Sequence, residues 1–116
     1  SWWRAFRWTS STGMQELGTL GGPMSAAYAA SYDGSVIVGK SLINSSSASE
    51  RAFRWTTKKK LQDLKRELID AGVTAVSNWI LLSANDVSAD GTVVVGYGLN
   101  PQGQYEAFRA TLPIPR

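Results

Sequence analysis

Two arginine–tryptophan pairs, Arg7-Trp8 and Arg54-Trp55, are the residues best suited to recognition chemistry in this chain. An indole face stacks on a sugar ring, and a guanidinium fork binds hydroxyls or a carboxylate. Arg7, Trp8, Arg54 and Trp55 are therefore the candidate ligand-binding residues. The same types also serve packing, with each tryptophan set between layers and each arginine paired with an acid or extended to solvent. Asp33 and Asp90 precede glycines, where aspartate bonds its own backbone in a turn, and that role is preferred for both. Asp86, Asp63 and Glu16 show no calcium-loop spacing, so no metal site is expected.

Composition removes whole classes of chemistry. The 116 residues contain no cysteine and no histidine. Disulfides, thiolate zinc, a cysteine nucleophile, serine–histidine triads and imidazole acid–base work are thereby excluded. Twelve Lys+Arg against nine Asp+Glu give a formal charge of +3, too mild for a polyelectrolyte binder. Lys58-Lys59-Lys60 with Lys65 and Arg66 form a local basic patch, read first as a solvated turn, with an anionic surface, polysaccharide or nucleic acid partner as the alternative. It has no aromatic interleaving, so no specific nucleic acid is expected. Gly21-Gly22-Pro23 is a turn, since no Lys-Ser/Thr follows it as a phosphate loop requires. No apolar run is long enough for a transmembrane segment, and no signal peptide is read in the opening Ser1-Trp2-Trp3-Arg4. Hydrophobic residues at 43% and five tryptophans fit a packed core.

Internal repetition is the main signal. Arg4-Ala5-Phe6-Arg7-Trp8-Thr9 recurs without change as Arg51-Ala52-Phe53-Arg54-Trp55-Thr56. Ala107-Phe108-Arg109-Ala110-Thr111 is a third copy with Ala110 in place of tryptophan. Ser31-Tyr32-Asp33-Gly34-Ser35-Val36-Ile37-Val38-Gly39 returns as Ser88-Ala89-Asp90-Gly91-Thr92-Val93-Val94-Val95-Gly96, and Met14-Gln15-Glu16-Leu17 as Leu61-Gln62-Asp63-Leu64. The chain is a single repeat module, 1–116, with units at 4–50 and 51–106 and a partial third at 107–111.

Each unit reads as four short antiparallel strands. A small-residue strand precedes the Asp-Gly turn, and a Val-rich strand follows it. The Phe-Arg-Trp strand comes next, with Phe and Trp on one face, and a short Leu strand closes the unit. Four strands in 40–50 residues is the size of a propeller blade. The expected fold is all-β, with β-propeller-like four-stranded repeats, about two blades, and one short inserted helix near 65–71. In chain order that means two strands, a complete blade, then three strands. A closed ring would need further blades, so a homo-oligomer or a fragment of a longer repeat chain is expected. Trp2 and Trp3, on opposite strand faces, would need another blade over them, and Pro113 and Pro115 would end the array. A β-sandwich is the lesser alternative.

These blocks resemble the HAF-type bacterial extracellular repeat family over roughly residues 4 to 111. The resemblance rests on Ala-Phe-Arg-Trp-Thr, on Gly13 to Gly22, and on Ser-x-Asp-Gly-(Ser/Thr)-Val-(Ile/Val)-Val-Gly. The Lys58–Lys60 turn, the inserted helix and Ala110 depart from it. It implies an extracellular or cell-surface location in bacteria and propeller-like repeats, and it implies no catalytic residue. The expectation is a non-enzymatic module, without cofactor, that binds a glycan or a surface protein in pockets between blades. A purely structural stalk is the alternative, and carboxylate-based glycan hydrolysis a more distant one.

Overall fold

The structure, a computed structural model, describes residues 3–113. The expectations for Trp2 and Pro115 lie outside the described residues. Among the described residues, nine strands form three antiparallel sheets. The first sheet holds β1 (Ala5–Thr9) and β2 (Gly13–Gly18). The second holds β3 (Ser25–Ala30), β4 (Val36–Leu42), β5 (Glu50–Thr56) and β6 (Lys60–Asp63), in that order. The third holds β7 (Ile80–Val87), β8 (Val93–Leu99) and β9 (Tyr105–Thr111). The two, four and three strands expected from the repeats are thus the strands observed. No barrel closes among the described residues.

The repeats superpose in register as well as in order. Trp8 pairs with Met14 in the first sheet as Trp55 pairs with Leu61 in the second. Gly39 lies opposite Phe53, and Gly96 opposite Phe108. Both small-residue strands carry a bulge at the same place, between Ala27 and Ala29 and between Ala84 and Asp86. A Cβ at Gly39 would collide with the Ala26 carbonyl, and one at Gly96 with the Ser83 carbonyl. The bulged neighbour strand comes too close for any side chain there.

The second sheet is buried on both faces. Ile37, Phe53 and Trp55 meet Ala5 and Leu17 of the first sheet in one apolar cluster. Val36, Val38 and Ala52, on the opposite side of the same strands, meet Leu81, Ala84, Val94 and Ala110 of the third sheet. Alternation along a strand sends neighbours to opposite faces, so an unbroken apolar run such as Val36-Ile37-Val38 feeds two cores at once.

One helix, α1 (Leu64–Asp70), interrupts the pattern directly after β6. The Asp63 carboxylate caps it by accepting from Lys65 N–H at 2.9 Å. Gly72, at φ 91°, ends it. The helix spans one residue earlier at each end than the expected 65–71, because Asp63 serves both as the last strand residue and as the cap. Its buried Leu64 and Leu68 join the core between the second and third sheets. A 3-10 turn, Thr74–Val76, leads on to β7.

Candidate functional site

The four candidate residues occupy three different environments. In the gap between the first and second sheets, Arg7 lies over the Trp55 ring, its guanidinium carbon 5.2 Å from the centroid. Arg7 Nε also donates to the Gly34 carbonyl at 2.9 Å. Lys60 Nζ sits 5.5 Å from the same ring. Trp55 is only 2% exposed. Its indole is engaged by two protein cations and leaves no open face for a sugar. Trp8 points away from this gap and is 62% exposed. Arg7 and Trp55 are therefore brought together across the sheets, whereas Trp8 and Arg54 are not part of that pair.

The second gap is built differently. Arg54 holds the position that Arg7 holds one unit earlier, but its tryptophan counterpart in β9 is Ala110. Leu64 and Leu68 of α1 pack with Ala110 in this core. The helix also brings Glu67, whose two carboxylate oxygens lie 3.3 Å from Arg54 Nη1. Both side chains are almost wholly buried. Arg54 Nε is buried without a hydrogen-bond partner among the described residues. Burial pushes the Glu67 carboxyl above its ordinary value, and the Arg54 charge works against that shift.

Beside this ion pair lies a cavity of about 390 Å³, lined by Arg54, Lys58, Lys59, Glu67, Asp70 and the chain at Leu112 among others. That volume suits a small polar ligand. Three cations and two carboxylates converge on it, so it can take an acidic ligand whose hydroxyls meet Glu67 or Asp70. Sequence reasoning missed Glu67 and Asp70 as site residues, and it read the lysines first as a solvated turn. A signal for them existed: the lysine turn, the inserted helix and Ala110 are the three departures from the repeat, and all three meet around this place.

Asp33 and Asp90 are turn residues. Asp33 Oδ1 accepts from Ser35 N–H at 3.0 Å and Asp90 Oδ1 from Thr92 N–H at 3.0 Å. No cluster of three metal-ligating side chains occurs among the described residues. No described helix is long and apolar enough to cross a membrane. No protein-family model, curated protein or solved structure matches the chain.

Proposed function

We propose that this chain is a non-enzymatic repeat module of an extracellular or surface-displayed bacterial protein, and that it binds a carboxylate-bearing glycan in the cavity beside Arg54 and Glu67. One observation carries the ligand reading: the cavity lies where the repeat is broken, and its lining is rich in charge. The Arg54 guanidinium and two nearby lysines along the cavity suit a sugar carboxylate. The location, and the view of the sheets as propeller-like blades, rest on the HAF-type resemblance and on the shared strand order and register of the units. A place in a longer repeat array or a homo-oligomer accords with the same repetition. Glu67 and Asp70 do not suggest glycan hydrolysis, because both stand on one short helix and Glu67 is committed to Arg54.

A second reading, a structural repeat without ligand, is favoured by the burial of Trp55 and Arg54. Calorimetric titration with galacturonate oligomers and with neutral oligosaccharides separates the two. The ligand reading expects binding of the acidic series alone, weakened about tenfold by Lys59→Ala, as loss of one charged hydrogen bond implies. Absence of binding to both series, or an unchanged affinity in the folded variant, would leave the structural reading.

A further inference from the structure

We propose that the free edge of β1 is an interaction surface for the β-hairpin of a further repeat unit, of the kind that this chain forms at residues 25–42. The inference concerns the end of the molecule away from the Arg54–Glu67 cavity and does not depend on the ligand reading.

Sequence identity supplies the first argument. Arg4–Thr9 and Arg51–Thr56 are the same six residues. In the second sheet this strand pairs with β6 on one edge and with β4 on the other. In the first sheet it pairs with β2 in the register that β5 keeps with β6. The edge that β4 fills on β5 pairs with no strand on β1 among the described residues. An unpaired edge of this kind is a template for strand addition.

Space supplies the second. Beside β1 lies an open cleft of about 540 Å³, lined by Arg7, Trp8 and Thr9 along β1 and by Ala27, Ala29 and Tyr32 of the next hairpin. The exposed Ala27 corresponds to Ala84 in the third sheet, which is 0% exposed. Ala84 is covered because β7 lies against β4 and β5, the two central strands of the sheet before it. Among the described residues the first sheet has a counterpart of β5 but none of β4, and the surface that such a strand would cover is the one left open.

Register specifies the partner. In both complete hairpin–strand contacts a glycine faces the phenylalanine, Gly39 to Phe53 and Gly96 to Phe108. Ile37 faces Trp55. The strand on β1 therefore presents glycine opposite Phe6 and a β-branched residue opposite Trp8, preceded by a bulged small-residue strand and an Asp-Gly turn. The chain's own Ser25–Leu42 segment meets every one of these requirements.

The test adds a synthetic peptide of residues 25–42 to the isotopically labelled full chain and follows amide exchange residue by residue. Exchange should slow about tenfold or more along β1, with β5 unchanged and a scrambled peptide inert. Unchanged β1 exchange would overturn the proposal. So would faster exchange in β5, since the peptide would then be replacing β3–β4. A dimer with β1 already protected before any peptide is added would assign the edge to a second copy and overturn it too. To cover a peptide that fails to fold, residues 25–49 are copied ahead of Ser1, the 43–49 connection supplying the reach. That fusion should unfold at higher urea with slowed β1 exchange, and an unchanged midpoint counts against the proposal.

Discussion

Asp33 and Asp90 hold their turns through the same set of bonds. The Ser31 and Ser88 hydroxyls donate to the aspartate at 3.1 and 2.7 Å, and they accept from Val36 and Val93 N–H at 3.1 and 3.0 Å. The Ser35 hydroxyl holds the Asp33 carboxyl below its ordinary value of 3.8, and the Thr92 hydroxyl does the same for Asp90. A carboxyl lowered by folding binds protons less readily in the folded chain. Its contribution is therefore present above pH 3.8 and lost as pH falls through the folded value. Urea unfolding of the wild type and of the Asp33→Asn/Asp90→Asn double variant should differ at neutral pH. The difference should shrink below pH 3.8, whereas a constant gap would contradict this account. These turns were legible in the sequence because every partner lies within five residues. The ion pair between Arg54 and Glu67 was not, since the acid arrives on an inserted helix and nothing local to Arg54 announces it.

At the scale of elements, α1 does the work of the missing tryptophan. Arg7 rests on Trp55, whereas for Arg54 the equivalent tryptophan position is Ala110 and its charge partner is Glu67. Leu64 and Leu68 supply the apolar volume. Glu67→Gln should destabilise the fold by about 3–5 kcal/mol, because it strands a buried guanidinium. The Arg54→Met/Glu67→Leu pair should recover most of that loss in urea unfolding, and simple addition of the two single effects would contradict the substitution of helix for tryptophan. The helix itself was readable from Asp63 and Gly72, one a cap and the other a stop. Its packing role was not, because sequence shows the absence of Trp at 110 without showing what fills the space. The bulges in β3 and β7 were not legible either. An extra residue in a run of small side chains leaves no compositional mark.

Across the whole molecule, burial follows the presence of a neighbouring sheet. Val38 is 0% exposed where the third sheet covers it, and its repeat counterpart Val95 is 39% exposed on that sheet's far side. Phe53 and Trp55 are 0% and 2% exposed beneath the first sheet, while the identical Phe6 and Trp8 are 55% and 62% exposed on its outer face. The strand count and order were legible because repeated blocks fix them. Which copy would be buried was not, because identical residues carry identical signals and only stacking separates them.

The most direct measurement of that stacking is the urea stability of Trp55→Ala against Trp8→Ala. The same residue in the same hexapeptide should cost about 3–5 kcal/mol at position 55 and no more than about 0.5 kcal/mol at position 8. Equal losses at the two positions would contradict a second sheet enclosed by its neighbours and a first sheet with one open face.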